Sequence, residues 1–262
     1  MFRRSTILMS SVVLLAAACG GVAAQPAASP TPSISGNLTV LAAASLTAAF
    51  GKIGTDLHAK YPGLTVTFSF AGSPTLVTQI QQGAQADVFA SADQANMQKV
   101  VTGGFNMGTP AVFAHNKLEI AVQAGNPKHL TALSDLTSSS VKVDVCAPGV
   151  PCGTYSTTTF AKAGIKVTPV SQEPDVKSVL TKVGLGEADA GIVYVTDVKS
   201  AGGQVTGVVI PDTLNTVAEY PITELKTTQD DAAAKAFVDY VVGTQGQKTL
   251  ASFGFLSKTT TA

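Results

Sequence analysis

The chain has no tryptophan, only three histidines and only three cysteines among 262 residues. Charge is sparse: 17 Lys and Arg balance 17 Asp and Glu. Each shortage excludes something. His58, His115 and His129 are scattered, without the spacing of metal ligands. Neither a Gly-x-Ser-x-Gly elbow nor a His-Glu-x-x-His motif is present, so the common serine-hydrolase and zinc-protease signatures are missing. No Lys/Arg stripe offers a footprint for nucleic acid. Nothing repeats at solenoid spacing. A protein so poor in positive charge that handled anions would have to use neutral dipoles.

What is present begins with a leader. Arg3 and Arg4 precede an apolar run from residue 7 to 18, followed by Cys19. A charged start, a short apolar core and small residues before the cut read as a secretory signal. The run falls short of the ~20 apolar residues that span a bilayer. Leu14-Leu15-Ala16-Ala17-Ala18-Cys19 resembles a bacterial lipoprotein signal, in which the cysteine becomes the lipidated first residue. The alternative is a plain signal cut near Ala23-Ala24. Residues 20–35 are Ala, Pro, Ser, Thr, Gly and Gln with almost no large side chain, the composition of a tether. The expectation is therefore a signal peptide over 1–18, with a lipidated cysteine and flexible tether over 19–35. Setting aside Arg3 and Arg4 leaves 15 basic side chains against 17 acidic, a net of −2.

Beyond Cys19 only Cys146 and Cys152 remain. Export favours a disulfide between them. The Ala147-Pro148-Gly149-Val150-Pro151 loop is turn-rich enough to bring them together. Two free thiols are the alternative. A redox dithiol fits less well, because five residues rather than two separate the pair.

From residue 36 apolar periodicity alternates between strand and helix. Strands are expected at 38–41, 64–70, 87–90, 118–124, 141–145, 167–170, 190–195, 205–210 and 218–226. Helices are expected from residue 46, around 76–80, and at 92–101, 153–163, 176–183, 230–242 and 245–253. Leu46, Ala49, Phe50, Ile53 and Leu57 mark one helical face. This alternation predicts an α/β fold with largely parallel sheets. The pieces at 118–124 and 218–226 follow no long helix and suit two crossings between lobes. Lobe 1 is then 36–115 with 224–262, and lobe 2 is 116–223.

Strand-to-helix junctions carry the chemistry. Ala42-Ala43-Ala44-Ser45 and Ala71-Gly72-Ser73-Pro74 both run from a strand through small residues to a serine and a helix. Serine is a favoured N-cap and proline suits a first helical turn. Such junctions present unpaired N–H groups, a hydroxyl and the positive end of a helix dipole, a ready anion site. Pro151-Cys152-Gly153 and Pro174-Asp175-Val176 are two further helix starts, and Ala190-Gly191-Ile192-Val193-Tyr194 ends a strand on a phenol. Singly, each reads as capping or packing.

Together with the Ala86-Asp87-Val88-Phe89-Ala90-Ser91-Ala92-Asp93 phrase, these motifs resemble the molybdate-binding proteins of bacterial molybdate ABC importers. The actinobacterial lipoprotein type, with cysteines at these two places, fits best. The resemblance runs from about Leu38 to Phe255. It implies a two-lobe periplasmic-binding-protein fold of type II, with two crossing strands as hinge and the ligand in the interlobe cleft. It implies a molybdate site made by Ser45, Ser73, Cys152, Val176 and Tyr194, serines and tyrosine through hydroxyls, the others through backbone N–H. Cys152 stands where the family usually has alanine, and Pro74 offers no N–H. No residue would ligate molybdenum directly and no cofactor is implied. Partners would be molybdate or tungstate, an ABC permease and, through Cys19, the extracytoplasmic face of the cell membrane; the protein would be a monomer and not an enzyme. Asp175 reads as a helix cap and Glu173 as solvated, as do the acids of Gly186-Glu187-Ala188-Asp189; carboxylate coordination is the opposing view.

Three rivals remain: the same module tuned to tungstate, sulfate or another tetrahedral oxyanion; an extracellular hydrolase using Ser45 or Ser73; and an adhesin. The hydrolase needs a histidine beside its serine, and His58 lies some three turns along the helix from Ser45.

Overall fold

The structure is a computed structural model that describes residues 34–260. The expected signal peptide, Cys19 and nearly all of the expected tether lie outside them. Among the described residues no helix is long and apolar enough to cross a membrane.

Among the described residues nine strands form two sheets that share one long strand. In the first sheet β1 (Gly36–Ala43) pairs in parallel with β2 (Leu64–Ala71) and β3 (Val88–Ala90). Antiparallel β9 (Val217–Leu225) then separates β3 from β4 (Asn106–Gln123). In the second sheet β4 pairs with β7 (Ala190–Tyr194) and β8 (Val205–Val209), both antiparallel. Parallel β5 (Val143–Cys146) and β6 (Ser171–Glu173) extend it from β7.

β4 changes partner midway. Asn106–Lys117 runs beside β9, and Leu118–Gln123 runs between β7 and β8. The strand expected at 118–124 is therefore only the last third of a longer one. Gly108 and Pro110 masked the rest; proline donates nothing to a ladder, and register shifts absorb it between Met107 and Ala111. The expected boundary at 223/224 cuts β9, whose whole length pairs in the first sheet. The chain returns to that sheet at Val217 instead.

The helices are α1 (Thr47–Lys60), α2 (Ser73–Gln81), α3 (Gln94–Thr102), α4 (Pro151–Lys162), α5 (Val176–Leu185), α6 (Val195–Ser200), α7 (Asp231–Val242) and α8 (Thr244–Ser252). The face expected on α1 is the buried one: Leu46, Ala49, Phe50, Ile53 and Leu57 are all within the core. Phe50 meets Phe68, Phe113 and Phe237, and Phe113 leads edge-on to Tyr220. Asp93, Asp175 and Asp230 cap α3, α5 and α7 by accepting the N–H of the third helical residue.

One further expectation is corrected, and one helix is added. The strand placed at 167–170 lies instead at Ser171–Glu173, because Pro169 cannot join a parallel ladder and the polar residues after it can. α6 was not foreseen; it follows Tyr194 directly, and its Asp197 reaches back to accept the Tyr194 N–H at 3.1 Å.

Candidate functional site

Six junctions meet around one small cavity. Its lining includes Ala44 and Ser45 at the end of β1, Gly72 and Ser73 after β2, and Ala92 after β3. Val150, Pro151 and Cys152 line it from the start of α4, Asp175 and Val176 from the start of α5, and Tyr194 from the end of β7. All five residues expected to bind ligand are brought together. The enclosed space is about 10 Å³, on the scale of a single water site, so a drug-sized ligand is excluded. The cavity suits one small ion.

Ser45 lies in a 3₁₀ turn, Ala44–Leu46, and Ser73 is the first residue of α2. Neither is an N-cap, contrary to expectation: Ala43 and Gly72 hold those positions and no side chain caps either helix end. The hydroxyls have tertiary partners. Ser45 Oγ lies 2.9 Å from the Tyr220 phenol oxygen. Ser73 Oγ accepts the Ala92 N–H at 3.1 Å. With its oxygen already accepting, the Ser73 hydroxyl proton is free to be donated into the cavity.

Backbone donors come from the helix starts. The first N–H groups of a helix have no intrahelical acceptor. Ser73 opens α2, Cys152 is second in α4 after Pro151, and Val176 opens α5. Three helix N-termini thus face one space, and their dipoles favour negative charge there. A disulfide joins Cys146 to Cys152, with Cα atoms 5.6 Å apart, and ties the start of α4 to the end of β5.

Tyr194 is the most telling member. It is 1% exposed, and its phenol oxygen is buried without a hydrogen-bond partner. Burial above all, then the nearby Tyr220, holds its pKa well above the ordinary tyrosine value. The phenol therefore stays protonated, a committed donor lacking an acceptor. Such groups are rare in native interiors.

The carboxylates nearby are engaged elsewhere. Asp175 accepts the Ser178 N–H and hydroxyl. Asp197, fully buried, takes the Tyr194 N–H and pairs with Lys177 at 2.9 Å. Glu173 is not solvated, contrary to expectation: it is 7% exposed and bonded to Ser171 and Lys182, each at 2.5 Å. Asp189 is likewise half-buried, accepting the Lys142 N–H at 2.8 Å. Among the described residues no group of three or more His, Cys, Asp or Glu is placed to hold a metal ion.

The two sheets approach closely beside the cavity. A Cβ added to Gly72 would overlap the Pro174 carbonyl oxygen, so only glycine permits this contact. Tyr220 and Asn96 were missed by sequence reasoning. Tyr220 touches Ser45 from 175 positions away, and no local pattern announces such a pair.

Comparison with known proteins identifies the family. The profile of the family described as bacterial extracellular solute-binding protein matches residues 38–256. The molybdate-binding protein ModA of Mycobacterium tuberculosis is 44% identical over 254 residues, 96% of this chain and 97% of its own. The molybdate-binding protein ModA of Escherichia coli is 34% identical over 233 residues, 85% of this chain and 90% of its own. The periplasmic molybdate-binding protein of Azotobacter vinelandii superposes with a TM-score of 0.75 at 19% identity, covering 84% of this chain and 98% of that one, which shows a shared fold. The chain belongs to the family of bacterial extracellular solute-binding proteins, among which these molybdate-binding proteins are its relatives.

Proposed function

We propose that this protein captures molybdate, and tungstate with it, outside the cytoplasmic membrane and hands it to an ABC permease, with no chemistry done on the ion. The observation that carries the reading is the buried, unpartnered Tyr194 phenol in a cavity on which three helix N-termini converge, with the one lining carboxylate, Asp175, engaged by Ser178. Molybdate is a tetrahedral dianion with four acceptor oxygens and no proton at neutral pH. Ser45 and Ser73 hydroxyls, the N–H groups of Ser45, Ser73, Cys152 and Val176, and the Tyr194 phenol supply a donor-only shell. Hydrogen bonds to a charged acceptor are the stronger kind.

The ion is held between two lobes, residues 36–116 with 217–260 and residues 117–216, hinged where β4 and β9 part. Ser45 and Ser73 belong to the first, Cys152, Val176 and Tyr194 to the second. A ligand bound by both favours the closed state through its differential affinity, so scattering should give a smaller radius of gyration with molybdate. The protein works as a monomer, fixed to the membrane by a lipid on Cys19. A Cys19→Ala variant that stayed membrane-bound and normally processed would refute the anchor.

Calorimetry with molybdate, tungstate, sulfate and phosphate tests the function. One molybdate per chain is expected, with tungstate competing and the others much weaker. Phosphate carries a proton at neutral pH and wants an acceptor, so a preference for it would overturn the reading. A preference for sulfate would reassign the module to a smaller tetrahedral oxyanion.

A further inference from the structure

Asn96 sits in the first turn of α3, 1% exposed and outside the lining of the cavity. Its side-chain amide is held from both ends. Oδ1 accepts the Lys99 ammonium at 3.0 Å, and Nδ2 donates to Asp93 Oδ2 at 2.9 Å. Those two contacts lie within one helix start and fix which way the amide faces. The second Nδ2 proton then points away from α3, to the Gly149 carbonyl oxygen at 3.3 Å.

Gly149 belongs to the loop between Cys146 and Cys152, in the other sheet's half of the molecule. On the α3 side the network continues to the cavity. Asp93 takes the Ser91 hydroxyl at 3.3 Å, and Ala92, between them, donates its N–H to Ser73. Hydrogen bonds at either end of the short Ser91–Asp93 backbone therefore link a cavity serine of the first half to the loop that presents Cys152. Asn96 makes the crossing.

We propose that Asn96 is a closing latch: a positioning residue that never touches the ion but sets how long the closed form persists. The proposal rests on the molybdate-binding reading above. When the halves separate, the Asn96 proton and the Gly149 carbonyl exchange each other for water, while the bonds to Asp93 and Lys99 remain. The crossing bond exists only in the closed form, so its loss speeds opening and leaves encounter with the ion unaffected. Affinity changes of this kind lie mostly in the release rate.

The test follows release of isotopically labelled molybdate from full-length protein into excess unlabelled molybdate, and separately the rate of uptake. Asn96→Ala should raise the release rate about fivefold to tenfold, the worth of one ordinary hydrogen bond. Uptake should stay within about twofold, a split that general loosening of the fold would not produce. Lys99→Met, at an exposed position, frees the amide to turn and should speed release by about twofold; it decides the matter if Asn96→Ala does not fold. An unchanged release rate, or a loss confined to uptake, overturns the latch. A wild-type protein that retains labelled molybdate while the variants release it no faster refutes the latch alone. A wild type that retains none refutes the functional reading, and the latch falls with it.

Discussion

Ser45 and Tyr220 share a buried hydrogen bond of 2.9 Å, and Tyr220 stands edge-on to Tyr194 with ring centroids 6.0 Å apart. Tyr220 therefore supports both a serine and a phenol of the cavity without lining it. Its phenol stays protonated because burial pushes its pKa far up. If Tyr220 donates to Ser45, the serine proton is turned toward the ion.

Tyr220→Phe should weaken molybdate binding less than Ser45→Ala, since it frees the serine without removing it. Ser45→Ala and Ser73→Ala should each cost about 1.5–3 kcal/mol of binding, the range for a hydrogen bond to a charged group. Calorimetry on the three variants measures the order.

Tyr194→Phe should separate affinity from stability. The phenol has no hydrogen-bond partner within the protein, so its removal breaks no bond of the fold and should leave the thermal midpoint nearly unchanged. Binding should weaken by about 1.5–3 kcal/mol. A drop in the ligand-free midpoint would show that the hydroxyl serves the fold.

Replacing Cys146 and Cys152 together by alanine should lower stability more than affinity. The bridge closes a short loop, worth roughly 2 kcal/mol in the chain-entropy account. The ligand bond expected of residue 152 comes from its backbone and survives the change. Denaturant unfolding and calorimetry on the same variant give both numbers.

Stability should also respond to pH through Asp144. It is fully buried on β5, with neither carboxylate oxygen hydrogen-bonded. Burial, and then the charge of Glu173, push its pKa up to about 6, while Lys182 pulls the other way. At Glu173 burial is outweighed by bonds to Lys182 and Ser171, which hold its pKa down. The native state thus takes up the Asp144 proton at higher pH than the unfolded chain. Its burial penalty is felt above pH 6 and fades as the pH falls toward 4. Asp144→Asn should raise the melting temperature most at pH 7–8, and the gain should shrink below pH 6.

Much of this was legible in the chain because it is local. The α1 face, the Asp175 cap and the small-residue junctions follow from spacing and from what each residue does at a helix end. Resemblance placed five residues on one site, and the fold brings all five to one cavity. What escaped reading was long-range or masked. The Ser45 and Ser73 hydroxyls turned to partners elsewhere in the chain rather than to their own helix ends. Glu173 looked like a surface acid until β6 set it against Lys182. Gly108 and Pro110 broke the apparent strand that β4 carries through two bulges.

That shared strand has a consequence for how the protein is made. β3 and the first half of β4 are both completed by β9, the last strand of the chain. Until residue 225 is free to pair, β3 has an open edge and β4 an unpaired flank. Exposed edges are templates for wrong pairing, and contacts across so many residues close slowly. The second sheet needs nothing beyond Val209 and can be complete first. The half bearing Ser45 and Ser73 must wait, so the binding cleft is among the last features of the molecule to exist.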